Sequence, residues 1–145
     1  MELWRLYREL HGPGLDGIGG LHAGGRWHEI GSRVVYFGAG AAIVVLEKLA
    51  HIDPAILPAD LVLARFEGDL SVADVSDAEV GDVWNLTQTR HRGEAFLKAQ
   101  TSCVLRVPSA VVPEEHNLVF NPLHPQANSL QLVYSRNFSF DGRLL

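Results

Sequence analysis

The sequence predicts an α+β fold, and three observations carry that expectation. Extended alternating segments and apolar helical segments both occur, and they interleave without the strict strand–helix–strand rhythm that builds a parallel sheet. Apolar residues make up 47% of the 145, enough for one domain, residues 1–145, to bury a substantial core. No repeat, low-complexity tract or linker divides the chain.

Residues 2–8, "ELWRLYR", read as a first strand. Residues 12–25 hold seven glycines, too many for a regular element and suited to a loop that approaches a ligand closely. "RVVYF" is a short strand, and "GAGAAIVVLEKLAHI" is the helix after it, ended by Pro54. "LVLARFEGDLSV" returns to extended alternation. "SDAEVGDVW" opens with a capping serine, Ser76, and three acids, as a helix amino end does, and "RGEAFLKAQT" is helical. "SCVLRVPSAVVP" reads as a strand pair broken at Pro108, and "NSLQLVYSRNFSFD" supplies one or two closing strands.

Composition excludes several functions. A net charge of −5 with no run of Lys or Arg argues against a nucleic-acid surface, which must neutralise phosphates, although one basic pocket for one anion is compatible with it. The amino end is charged rather than signal-like, and no apolar run approaches the ~20 residues of a membrane span, so a cytoplasmic protein is expected. Cys103 is a lone cysteine in an apolar segment and is expected to behave as a small buried hydrophobe. The seven histidines show no metal-ligand spacing, so no metal is expected. The glycine loop fails the dinucleotide fingerprint: "GIGGLH" lacks the third glycine, and a strand rather than a helix follows.

Glu47 is the residue that does not fit its surroundings. On a helical wheel it falls beside Ile43, Leu46, Ala39 and Ala50, with Lys48 well away, so it faces inward. A carboxylate there must find a cation, accept hydrogen bonds or stay protonated. Arg26, at the mouth of the glycine loop, is a candidate cation, and Tyr36 lies two residues before the helix. A structural Arg26–Glu47 ion pair and a functional site are both open on spacing alone.

"GGRW", "VVY" with its Tyr ten residues after the Arg, "LE" with its Glu eleven after the Tyr, "VPSAVVPEEHNLVFNPLHP" and "FSFDGRL" together resemble the RES domain family, from "LWRL" to the last residues. The resemblance implies an ADP-ribosyltransferase-like fold, with a central, mostly antiparallel split sheet flanked by helices. It also implies a toxin of a bacterial toxin–antitoxin pair that consumes NAD as a substrate, with no cofactor and with phosphate as a possible co-substrate. It makes Arg26, Tyr36, Glu47 and Ser109 the catalytic set, and a helix-turn-helix antitoxin the partner, plugging the cleft.

On that resemblance Glu47 stabilises charge on the ribose, Arg26 binds the pyrophosphate, and Tyr36 offers a face to nicotinamide. Ser109 offers a hydroxyl to ribose or amide, and Trp27 is either a pocket wall or core. Asn117, Asn121 and His124 match the pattern but are expected to fix the loop that presents Ser109. His28 stands where the family often has Asn. Phosphate is the expected acceptor, with Arg33, Arg90, Arg92 or Arg106 as its binding residue. Protein mono-ADP-ribosylation is the alternative, and an inactive module that binds ADP-ribose, NAD or a protein is the alternative of another class.

Overall fold

In the computed structural model, which describes residues 1–76 and 78–145, the chain forms seven strands and three α-helices. The strands are β1 (Glu2–Arg8), β2 (Val35–Gly38), β3 (Leu61–Glu67), β4 (Val72–Asp74), β5 (Val104–Pro108), β6 (His116–Phe120) and β7 (Gln131–Phe138). The helices are α1 (Gly19–His22), α2 (Ala41–His51) and α3 (Leu86–Ala99). The strand order is β4-β5-β6-β2-β1-β3-β7, with only β4 and β5 parallel.

One junction in this sheet is unlike the others. β1 pairs with β3 over its whole length, and β2 pairs with β6 over its whole length, but β1 and β2 share the single rung Trp4–Gly38. The sheet is therefore two ladders joined at one point, the split arrangement that the resemblance implies. Beyond the rung, the Arg5 side chain straps the gap by donating from Nη1 to the Tyr36 carbonyl at 2.6 Å.

Alternation along the strands fills two apolar clusters. Val104, Leu118, Phe120, Val35 and Phe37 pack with Leu3, Phe66 and Cys103, while Leu105, Val107 and Val119 pack with Trp27, Val80 and Phe96. Phe37 meets Phe66 and Phe120 edge-on at centroid distances of 5.6 and 5.5 Å. Cys103 is fully buried, as expected of a small hydrophobe, and burial pushes its thiol up to about 11.

Three expectations are corrected. The glycine loop does hold a regular element, the one-turn α1. Ser76 makes a reciprocal turn with Glu79, its N–H donating to Oε2 at 2.8 Å, but no helix follows there, and residue 77 of that segment lies outside the described residues. A second turn at Asp82, whose carboxylate accepts from Trp84 N–H, breaks the path, so α3 starts at Leu86 with Asn85 as its cap. Finally, "SCVLRVPSAVVP" contains one strand, β5, whose antiparallel partner is the unexpected β6, built from "HNLVF".

Helix α3 lies directly on the segment that carries Arg26 and Trp27. Gly93 faces the Trp27 backbone, Thr89 donates its hydroxyl to the Arg26 carbonyl, and Arg90 Nε donates to the Gly25 carbonyl at 2.8 Å.

Candidate active site

The split between β1 and β2 opens into a cavity of about 530 Å³ bordered by Arg26, Trp27, Tyr36, Glu47, Arg90 and Asn117, and also by Arg5 and Lys48. Glu47 comes from the face of α2 that the helical wheel turned inward. Its partner is not Arg26. Ser109 Oγ donates to Glu47 Oε1 at 2.6 Å and Asn117 Nδ2 donates to the same oxygen at 2.8 Å. Among the described residues no side chain or backbone group donates to Oε2, so one carboxylate oxygen is held by the protein and the other has no protein donor.

Arg26 is oriented from elsewhere. Its Nη1 donates to the Val83 carbonyl at 2.6 Å, and its guanidinium lies 4.7 Å from the centre of the Trp84 ring. The structural ion pair between Arg26 and Glu47 is thus absent among the described residues, although both line the same cavity.

Tyr36 is fixed by donors and acceptors that can be assigned. Its hydroxyl accepts from Trp27 N–H at 3.1 Å and lies 2.7 Å from His28 Nδ1. His28 Nε2 lies 2.8 Å from the Ala23 carbonyl, which can only accept, so the neutral ring carries its proton on Nε2 and Nδ1 accepts from Tyr36. The hydroxyl is therefore committed to the protein, and the residue presents its ring to the cavity. Burial pushes the phenol well above its usual value of 10.0; the Trp27 N–H, Arg90 and Arg26 pull the other way without reversing it. Gly25 is required beside this pair, since a Cβ there would stand 2.7 Å from the Tyr36 hydroxyl and 2.8 Å from the His28 ring.

Ser109, expected to offer its hydroxyl to ribose or amide, offers it in this structure to Glu47. It is fully buried and does not border the cavity, and its Oγ also accepts from Val111 and Val112 N–H at 3.0 and 3.1 Å. This hydroxyl, on the residue just after β5, holds Glu47 in place. Trp27 borders the cavity but is only 2% exposed, packed as core. Asn121 and His124 hold their own loop: Asn121 Oδ1 accepts from Leu123 N–H and His124 Nδ1 from Gln126 N–H. Asn117, in contrast, reaches the site, because β6 is a strand rather than a turn and brings it opposite Gly38.

Of the arginines considered for phosphate, only Arg90 borders the cavity. Arg92 pairs with Glu79 at 2.9 Å, Arg106 approaches Asp74 at 3.6 Å, and Arg33 donates to the Asp16 carbonyl. The cavity instead receives Arg5 and Lys48, so it assembles four cations around one carboxylate. No group of three His, Cys, Asp or Glu among the described residues is arranged to hold a metal, and no helix among them is long and apolar enough to cross a membrane.

The seven-stranded mixed sheet with its split and three helices is an α+β fold, consistent with the ADP-ribosyltransferase-like class that the sequence led us to expect. A chain of the crystal structure of the M. tuberculosis MbcT–MbcA toxin–antitoxin complex shares this fold, with a TM-score of 0.73 and 21% identity over 95% of this chain and 84% of that one. The family model of the RES domain matches residues 2–141, and the chain belongs to that family. Its relatives include "Toxin Res" of Pseudomonas putida, 37% identical over 99% of both chains. Another is the "Prs ADP-ribosylating toxin" of Sphingobium sp., 32% identical over 99% of this chain and 96% of that one.

Proposed function

We propose that this chain is the toxin of a toxin–antitoxin pair acting in the cytoplasm, and that it consumes NAD by breaking the nicotinamide–ribose bond, with phosphate as the preferred acceptor. The observation that carries the reading is Glu47, a carboxylate in a cation-rich cavity with one oxygen tied to Ser109 and Asn117 and the other without a protein donor.

As the bond to nicotinamide weakens, positive charge develops on the ribose, and a fixed carboxylate stabilises that charge or holds a ribose hydroxyl without having to reorganise. Arg26, oriented by Val83 and Trp84, retains donors for a pyrophosphate. The Tyr36 ring, locked by His28 and Trp27, gives nicotinamide a flat wall. Nicotinamide leaves with the electron pair of the broken bond, which neutralises its ring, while an acceptor oxygen bonds to the ribose carbon. The relatives' names and the solved toxin–antitoxin complex support a cognate antitoxin; in our reading it carries a helix-turn-helix domain and covers the cavity.

Transfer of ADP-ribose to a protein is the second reading, favoured by the name of the Sphingobium relative. The same residues serve it, because the acceptor bonds only after the leaving group has loosened. Purified chain incubated with NAD should release nicotinamide, and Glu47→Gln should keep NAD affinity while lowering the maximal rate by about a hundredfold or more. Intact NAD after hours at micromolar chain, with and without phosphate, would sink the enzymatic reading. Label from NAD appearing on a protein would decide for the second.

A further inference from the structure

We propose that Trp84 is a stacking platform for the adenine base of the dinucleotide, standing outside the cavity and reached past Arg26. The placement rests on the NAD-cleaving reading, which gives the pyrophosphate to Arg26.

Tryptophan is highly buried on average. Trp27 follows that rule at 2% exposure, yet Trp84 is 68% exposed. One face of its indole meets the Arg26 guanidinium, which lies 4.7 Å from the ring centre. Among the described residues no other aromatic ring packs on it, so the opposite face is open. Leu86, two residues on and 42% exposed, borders the cavity itself.

The platform is held in advance. Trp84 N–H donates to Asp82 Oδ1 at 2.9 Å, Asn85 N–H donates to the Asp82 carbonyl at 3.1 Å, and the Asn85 side chain caps α3 by accepting from Gln88 N–H at 3.2 Å. Upstream, Val80 is buried in the cluster that contains Trp27. The backbone at residue 84 is thus fixed between a turn and a helix cap, and a base that lands there has little of it left to order.

The occupant follows from charge and shape. Asp82 is exposed in the same turn, which disfavours a further phosphate but leaves an uncharged base unopposed. A purine offers a flat π-face to the indole, and stacking requires no particular hydrogen-bonding edge. Elimination leads to the same residue. Of the Phe, Tyr and Trp rings that border the cavity, Trp27 and Phe37 are buried in the core and Tyr36 is assigned to nicotinamide. Arg26 is the residue that cavity and platform share, so a pyrophosphate bonded to it directs one ribose toward Glu47 and holds the adenosine a single ribose away from the indole.

The test is calorimetric titration of ADP-ribose into the full chain, for the parent, Trp84→Ala and Trp84→Phe, with thermal unfolding recorded for each. Inorganic pyrophosphate, which has the anion and no base, is followed by its displacement of ADP-ribose. Trp84→Ala should melt like the parent and bind ADP-ribose about tenfold or more weakly. Its affinity for pyrophosphate should stay within about threefold, because the Val83 carbonyl still holds Arg26. Trp84→Phe should recover most of the ADP-ribose affinity, and ADP-ribose should quench tryptophan emission in the parent more than in this variant. No saturable ADP-ribose binding to the parent, or unchanged binding to Trp84→Ala, would overturn the site. Equal weakening of both ligands would reduce Trp84 to a support for Arg26, and pyrophosphate that fails to displace ADP-ribose would remove the shared arginine. Nicotinamide release is assayed separately: the Trp84 pattern without NAD loss would refute cleavage and leave the site, and NAD loss without the Trp84 pattern would do the reverse.

Discussion

Replacing Gly93 by alanine sets two opposed effects against each other, and the structure decides between them. Alanine favours a helix over glycine by about 1 kcal/mol. A Cβ at residue 93, however, would lie 2.7 Å from the Trp27 carbonyl carbon and 3.1 Å from its Cα, against backbone that cannot swing aside. Helix α3 would have to retreat by about 1 Å, an overpacking cost of roughly 2 kcal/mol. Retreat would also stretch the Thr89–Arg26 and Arg90–Gly25 hydrogen bonds, each contributing about 1 kcal/mol. The net expectation is a loss of about 3 kcal/mol, or a fall in Tm of roughly 10 °C for a chain of this size. Urea unfolding should show a lower midpoint with an unchanged slope. Gly81→Ala, where nothing stands within 4 Å of the new Cβ, should stay within about 0.5 kcal/mol of the parent. A Gly93→Ala chain as stable as the parent would refute the close contact between α3 and the Arg26–Trp27 segment.

Ser109→Ala removes a donor from Glu47 and the acceptor of two N–H groups, so urea unfolding should show a loss of about 2 kcal/mol; an unchanged midpoint would dissolve the buried network. At alkaline pH the unfolded chain releases the Tyr36 proton near 10.0 while the folded chain keeps it, so stability is complete below that pH and falls above it; Tyr36→Phe should flatten this limb, and an unaltered pH profile would count against the buried phenol. The Cys103 thiol adds a loss of the same sign between pH 9.0 and about 11, which Cys103→Ala should abolish in the same titration. Nitrogen-15 correlation spectra of neutral His28 should show the Nε2–H tautomer, and an Nδ1–H pattern would reverse the assigned direction of the Tyr36 bond.

What could be read from the sequence was what local pattern encodes. β1, α2 and β3 carry unbroken periodicity, and each is found within a few residues of its expected place. The wheel position of Glu47 brought it to the cavity because the face of a helix is a local property. Strand β6 escaped because Asn117, Asn121 and two prolines read as turns, whereas its pairing with β2 and β5 is a long-range matter. That miss concealed the role of Asn117 on Glu47. The resemblance put Ser109 in the catalytic set, but its burial beneath the 109–112 turn is visible only in three dimensions. The wheel also set Lys48 apart from the site. Its long stem and the open split let it line the cavity, and Arg5 joins it there from β1, far from α2 in sequence but adjacent in space.

The single rung between β1 and β2 has a consequence for local opening. A sheet held by continuous ladders opens as one cooperative unit, but two ladders sharing one rung and one arginine strap form two units that can breathe separately. The hinge of that motion coincides with the wall that carries Tyr36 and Arg5. On the NAD-cleaving reading, entry of a ligand as bulky as a dinucleotide requires only the weakest seam of the sheet to part, while every long ladder on either side stays closed.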